Sequence, residues 1–233
     1  MHARATRGAA PALLAAALLL AATAAGCTGG PPRDTAKASS AGASPLERAA
    51  LADGDLPDYR VSAARRAGAV AGQPTADTAR CQPLADIMGD RPGPAALTTV
   101  NRGLGSRRAP ALALSASLSA YDPGDARRLL AALRTAVADC AAGFTARVQG
   151  RSGRFSDVAA VPYGTGGDET VSWTATGTAR GLRAPLHLVV IREGGTVLRF
   201  MALDLGGRGT HPRVPRPVVE RQLSKLRATL PAG

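Results

Sequence analysis

The side chains that most often carry out catalysis or bind metals are scarce in this chain of 233 residues. It contains three cysteines and three histidines. No His-Glu-x-x-His, Cys-x-x-Cys or Gly-x-Ser-x-Gly motif occurs, which disfavours a zinc site and a serine nucleophile. We therefore expect no enzymatic activity, with no catalytic residue, metal site or cofactor. The sequence does not identify which residues would bind a ligand.

The weaker chemical candidates have simpler structural interpretations. His187 lies in a predicted strand and is expected on the sheet surface, while His211 lies in a loop rich in Gly, Pro and Arg and is expected to be exposed. Asp168 and Glu169 begin another predicted strand. We expect them to be solvated, with a glycosidase carboxylate as the alternative.

The first cysteine follows a secretory signal pattern. Arg4 and Arg7 precede an uncharged, alanine-rich and leucine-rich run over residues 9–25. The run ends in Ala24-Ala25-Gly26-Cys27, which resembles the lipobox of actinobacterial exported lipoproteins. That resemblance implies cleavage before Cys27, acylation of its thiol and a lipid anchor in the membrane. Ordinary secretion with cleavage after an Ala-x-Ala site, or an uncleaved anchor, remain as alternatives.

If Cys27 is acylated, Cys81 and Cys140 remain as an even pair. Exported proteins meet oxidising conditions, so we predict a disulfide between them. Two buried free thiols are the alternative. A catalytic thiol is disfavoured because no histidine lies close to either cysteine in the sequence.

The chain divides into three predicted regions. Residues 1–26 form the signal peptide, and residues 27–44 form the anchor and a flexible tether without bulky apolar residues. Residues 45–233 form one extracytoplasmic domain. The expected location is the outer face of the cell membrane, with the protein held there by its lipid.

Periodicity predicts an α+β fold, with an antiparallel sheet meander packed against a long central helix and a C-terminal helix. Pro110–Tyr121 alternates apolar residues with Ser115, Ser117 and Ser119, which predicts a strand whose serine face meets solvent. Asp122 then caps a helix that carries Cys140 and Phe144 on its apolar stripe. The other predicted strands are Tyr59–Ala63, Phe155–Val161, Glu169–Thr178, Leu186–Arg192 and Val197–Leu205. One further predicted helix begins at Pro45, and two more span Pro83–Met88 and Pro217–Leu230. Val70–Ala76 is expected to be a loop.

One stretch resembles a sensor family. Leu118–Pro123, read together with Asp139–Ala142, is similar to the extracytoplasmic sensor domain of mycobacterial H-type receptor kinases. In that family a strand leads into a long helix ending in a cysteine, followed by antiparallel strands and a terminal helix. The resemblance implies a sensor-like or binding domain. It transfers no ligand, and this chain can form one disulfide where those domains usually have two.

The formal net charge is +12, and Lys37 and Lys225 are the only lysines among 29 basic residues. Export and the scarcity of aromatic residues argue against nucleic acid as a partner. Anionic lipid or a cell-wall polymer fits the charge better. The sequence thus favours a non-enzymatic, membrane-anchored ligand-binding or sensor-like domain. The alternatives are a lipid or glycolipid carrier with an apolar cavity, a cell-wall enzyme, and an envelope structural protein.

Overall fold

The computed structural model describes residues 42–63, 72–90, 92–93, 96–206 and 211–230. The predicted signal peptide, Cys27 and nearly all of the predicted tether lie outside these ranges. Within them, no helix is both long and apolar enough to cross a membrane.

The described residues contain nine strands and four α-helices. The strands are β1 (Tyr59–Ser62), β2 (Thr75–Ala76), β3 (Thr98–Ser106), β4 (Leu112–Ala120), β5 (Phe144–Val148), β6 (Arg151–Ala160), β7 (Glu169–Ala179), β8 (Leu182–Glu193) and β9 (Thr196–Asp204). The helices are α1 (Pro45–Ala49), α2 (Gln82–Met88), α3 (Pro123–Asp139) and α4 (Arg216–Thr229), and a short 3-10 helix (Ala79–Cys81) leads into α2.

All nine strands form one antiparallel sheet in the order β1-β3-β4-β9-β8-β7-β6-β5-β2. The predicted α+β class, with its antiparallel sheet, central helix and C-terminal helix, is confirmed. Short hairpins join four of the eight neighbouring pairs, namely β3–β4, β5–β6, β7–β8 and β8–β9. The longer connection from β4 to β5 carries α3.

Helices pack on both faces of the sheet, so there are two separate cores. Leu84 and Ile87 of α2 and Leu130 and Leu133 of α3 pack against one face, together with Trp173 of β7. We call this the α3 face. On the other, the α1/α4 face, α1 and α4 pack against alternate residues of β3, β4, β8 and β9. This alternation follows from the two-residue period of a strand.

Several local predictions need correction. Residues 98–106 form β3, which the sequence did not suggest because glycines and Arg102 interrupt its apolar pattern. Phe144 starts β5 rather than continuing α3, since the chain turns at Gly143 with a φ of 94°. Asp122 stands before α3 but its side chain makes no capping hydrogen bond. Part of the predicted loop Val70–Ala76 is the two-residue strand β2.

The largest correction concerns the serine face of β4. Ser115, Ser117 and Ser119 are all buried, at 2%, 0% and 0% exposure, rather than facing solvent. The alternation was read correctly, but both faces of this part of the sheet are covered. A buried row of hydroxyl groups therefore lies on the α3 face.

Cys81 and Cys140 are joined by a disulfide in the structure, with Cα atoms 5.9 Å apart. Cys81 precedes α2 and Cys140 follows α3. The bond therefore ties together the two helices that cover the α3 face.

Candidate functional site

Polar side chains cross three adjacent strands of the α3 face in a single row. Asn101 of β3 pairs in register with Ser117 of β4, which in turn pairs with Arg199 of β9. Ser115 lies two residues along β4, and Tyr121 directly follows the strand on the same side. We call Asn101, Ser115, Ser117, Tyr121 and Arg199 the Arg199 cluster.

Arg199 is buried to 1% exposure and is only partly bonded. Its Nη1 donates to the carbonyl oxygens of Ile87, at 2.9 Å, and of Gly89, at 3.2 Å, where α2 ends. Within the described residues, its Nε and Nη2 have no hydrogen-bond partner. Backbone oxygens thus bind one side of the guanidinium, and its Nε–Nη2 edge is unpaired there.

The other members of the cluster are also unsatisfied. Buried polar atoms nearly always have hydrogen-bond partners in folded proteins. Within the described part of the chain, every buried side-chain atom without a partner belongs to this cluster. The six atoms are Asn101 Oδ1, Ser115 Oγ, Ser117 Oγ, Tyr121 Oη, Arg199 Nε and Arg199 Nη2.

The electrostatics favour an anion here. Burial lowers the pKa of Arg199 to about 10, against opposing effects of Asp90 and Tyr121, so the guanidinium is charged at neutral pH. Burial also raises the pKa of Tyr121, which keeps its hydroxyl protonated and able to donate. The Nε–Nη2 edge of an arginine matches two oxygens of a carboxylate or phosphate. The cluster is therefore suited to a small oxyanion, with hydroxyl groups as further donors.

Ser172 and His187 form a second buried polar group. It resembles a catalytic dyad, except that the histidine donates the hydrogen bond to the serine. His187 is fully buried, which corrects its predicted place on the sheet surface. Its Nδ1 accepts the Val214 N–H at 2.9 Å, so the proton of the neutral ring lies on Nε2 and is donated to Ser172 Oγ at 2.8 Å. A nitrogen that already holds a proton cannot take one from serine. This pair therefore positions the segment around Val214.

The remaining candidates lie apart from the Arg199 cluster. His211 is exposed, as predicted, and approaches Thr176 Oγ1 at 3.4 Å. Asp168 and Glu169 both form ion pairs with Arg192, at 2.8 Å each, so they are structural partners rather than freely solvated acids. The described residues contain no group of three or more His, Cys, Asp or Glu side chains placed to hold a metal ion.

Sequence reasoning missed the Arg199 cluster because each of its members has an ordinary explanation on its own. Serine alternating with leucine indicates a solvent-facing side, and arginine is rarely buried. One signal was available. Arg199 is flanked by Val197, Leu198, Phe200 and Met201, and a charge within such an apolar strand is unusual.

No protein-family model matches the chain, and no curated protein matches it. Four chains among the solved structures are similar in outline, including two from mycobacteria. The extracellular domain of PknH from Mycobacterium tuberculosis aligns over 73% of this chain and 81% of its own, with 12% identity and a TM-score of 0.47. A putative uncharacterized protein from Mycobacterium smegmatis aligns over 75% and 90%, with 14% identity and a TM-score of 0.39. Neither likeness is close enough to assign a function.

Proposed function

We propose that this protein is a membrane-anchored extracytoplasmic binding protein, without catalytic activity, that binds a small oxyanion at the Arg199 cluster. The observation that carries the binding proposal is the buried guanidinium whose bidentate edge has no partner. Leaving a buried charge unpaired costs several kcal/mol in principle. An anion that completes the pairing would recover part of that cost.

The chemistry of the cluster defines the class of ligand. Two guanidinium N–H groups and the hydroxyls of Ser115, Ser117 and Tyr121 can all donate to oxygens. Asn101 Oδ1 is a hydrogen-bond acceptor and would take a hydrogen bond from a hydroxyl group on the same ligand. Hydroxycarboxylates and phosphates share this pattern, and the experiment below separates them.

The binding test is thermal unfolding of the purified protein with inorganic phosphate, with lactate and with chloride at equal ionic strength. We expect phosphate or lactate to raise the melting temperature above chloride, because a ligand that binds the folded state stabilises it. Arg199→Met should abolish this shift. Arg102→Met is the matched control, since Arg102 is a buried arginine with complete bonding. An equal shift in the Arg199→Met protein would refute the site.

The membrane anchor is tested separately, by mass spectrometry of the native protein. We expect a mature chain that begins at Cys27 and carries a diacylglyceryl group. A mature N-terminus at Ala25 with an unmodified Cys27 would overturn the lipoprotein proposal while leaving the anion site untouched.

A second candidate function, carriage of an apolar molecule, is favoured by one pocket on the α3 face. It has a volume of about 250 Å³ and lies between the end of α2 and the β5–β6 hairpin. Its apolar lining includes Met88, Ala146, Val148 and Phe155. Lipid extraction of the natively purified protein tests this function. Co-purified lipid that is lost in a Val148→Trp variant would support it, and a lipid-free native protein would contradict it.

A further inference from the structure

The two ends of the sheet differ sharply in charge. The β3–β4, β5–β6 and β7–β8 turns and the residue after β9 all lie at one end, which we call the hairpin end. It carries Arg107, Arg108, Arg147, Arg151, Arg154, Arg180 and Arg183. The opposite end holds the β8–β9 turn and the start of α3. Its charges are balanced, because the acids Asp125, Asp168, Glu169 and Glu193 form ion pairs with Arg128, Arg134, Arg192 and Arg227.

Most arginines of the hairpin end have no ion pair. Arg108 pairs with Asp58 at 3.0 Å, whereas Arg147, Arg151, Arg154, Arg180 and Arg183 pair with no carboxylate of the described chain. Three acids lie nearby, Asp58, Asp157 and Asp204. Hydrogen bonds from Ser156 and Thr176 lower the pKa of Asp157, with a smaller contribution from Arg183. The net charge of this end is therefore strongly positive.

Exposed leucines accompany these arginines. Leu182 is 77% exposed and stands between Arg180 and Arg183, and Leu205 is 65% exposed after β9. Because Leu186 of β8 pairs with Leu203 of β9, these two leucines lie at the same end of adjacent strands. Apolar tips surrounded by cations suit a bilayer, where leucine enters the interface and arginine meets the headgroups.

The β7–β8 and β5–β6 turns at this end have a defined backbone conformation. The β7–β8 turn has φ values of 52° at Arg180 and 77° at Gly181, and the β5–β6 turn has 48° at Gln149 and 73° at Gly150. Positive φ at both central residues is the geometry of a type I′ hairpin. From β3 to β5 the end spans six strand spacings, about 29 Å. The backbone of these two turns therefore needs little further ordering when the domain binds a surface.

We propose that the hairpin end docks on anionic lipid headgroups, inserting Leu182 and Leu205 at the bilayer interface. A cell-wall polyanion would use the arginines but not the leucines, so the leucines favour the bilayer. Each basic residue near an anionic surface strengthens binding about fivefold. The proposal goes beyond the anion site and does not use Arg199. It rests on the proposed anchor only for keeping the domain near the membrane.

Tryptophan fluorescence in vesicles tests the orientation directly. The full chain carrying Leu182→Trp is reconstituted in vesicles with bromine-labelled acyl chains, made of phosphatidylcholine with or without phosphatidylglycerol. The matched control is Leu97→Trp, because Leu97 is 69% exposed but lies at the opposite end, beside Ala120. The native Trp173 is buried and supplies a constant background in both proteins.

We expect quenching of Leu182→Trp in the phosphatidylglycerol vesicles that weakens as salt is raised, and no quenching of Leu97→Trp. Replacing Arg151, Arg180 and Arg183 by serine in the Leu182→Trp protein should remove the quenching, since the combined loss is on the order of a hundredfold. Equal quenching at both positions, quenching that ignores salt, or none at Leu182→Trp would overturn the proposal. The mass of the N-terminus reports separately whether the anchor is present.

Discussion

Two arginines, Arg102 and Arg199, are buried on opposite faces of the sheet, in the strands that flank β4. Arg102 lies on the α1/α4 face, where its Nε donates to Leu51 O at 2.8 Å and its Nη2 pairs with Glu47 at 2.6 Å. Nη1 donates to Asn101 O at 3.1 Å. Every nitrogen of this guanidinium therefore has a partner within the protein.

Arg199 has the same chemistry but half the bonding. Both oxygens that it contacts are backbone carbonyls near the end of α2. Among the described residues no carboxylate forms a direct ion pair with it, and Asp90 acts on its charge only from a longer distance. Burial penalises the charge of both arginines. The two residues therefore differ in the hydrogen-bond and ion-pair partners that surround each guanidinium. Arg102 attaches α1 to the sheet, whereas Nε and Nη2 of Arg199 have no hydrogen-bond partner among the described residues. Under the proposed function, this difference separates a structural arginine from one that binds an anion.

The largest expected effect concerns the disulfide, which links two helices on the face of Arg199. Removing it in a Cys81→Ala/Cys140→Ala protein should lower the free energy of unfolding by about 4 kcal/mol, from loss of a 59-residue closure. This loss speeds amide hydrogen exchange throughout the domain, and because the bond holds α2 to α3, exchange in α2 should speed up more than exchange around Arg102. Two free thiols in the native protein, or equal loosening of both faces, would contradict this prediction.

The next effect comes from His187, a buried base on the face of Arg102. Burial, with Arg213 and His211 nearby, lowers its pKa to about 4 from 6.5. The unfolded chain therefore binds more protons between these values, so the stabilising contribution is complete above about pH 6.5 and is lost as the pH falls towards 4. The loss should be roughly 3 kcal/mol by denaturant unfolding.

The control for this pH dependence is a pair of variants. His187→Gln should flatten the stability profile across this window. His211→Gln removes only the smallest of the three causes of the His187 pKa shift, so it should change the profile much less. A wild-type profile that matches that of His187→Gln would show that His187 does not titrate as the structure indicates.

The two arginines should differ in the size of their contribution in anion-free buffer. Arg102→Met should lower the free energy of unfolding by about 2–3 kcal/mol, because it breaks a buried charged network and leaves Leu51 O unpaired. Arg199→Met removes a buried charge but also the donor to Ile87 O and Gly89 O, so the two effects oppose each other and the loss should be smaller, about 0–1 kcal/mol. Urea unfolding of the three proteins measures both changes. Equal destabilisation would mean that Arg199 is as well bonded as Arg102.

The smallest effect distinguishes two serines of β4, both fully buried. Ser119 Oγ bonds to Thr99 Oγ1 at 2.8 Å, whereas Ser117 Oγ has no partner. Ser119→Ala should cost about 1 kcal/mol, and Ser117→Ala should be neutral or slightly stabilising without anion. In return, Ser117→Ala should weaken phosphate or lactate binding about tenfold. Calorimetric titration that shows the same affinity for both variants would exclude Ser117 from the site.

The sequence allowed the fold to be predicted well where a residue's neighbours in the chain decide its environment. The hairpin at Gly194 and the end of α2 at Gly89 are local events, and both are found where the sequence placed them. The burial of Ser117 and His187 could not be predicted in this way. It depends on α2, α3 and the segment around Val214, which are distant in sequence. The Arg199 cluster is missed for the same reason, since its members come from three strands.

The sheet has nine strands, but its two edge strands are short. They are β1, with four residues, and β2, with two. A long, unpaired edge strand can recruit another chain by backbone pairing, and short edges limit this. Copies held close together on a surface would therefore meet only short edge strands at β1 and β2 of the described sheet, together with residues 98–102 of β3 beyond the pairing with β1. We expect such short edges to limit the joining of sheets between crowded copies.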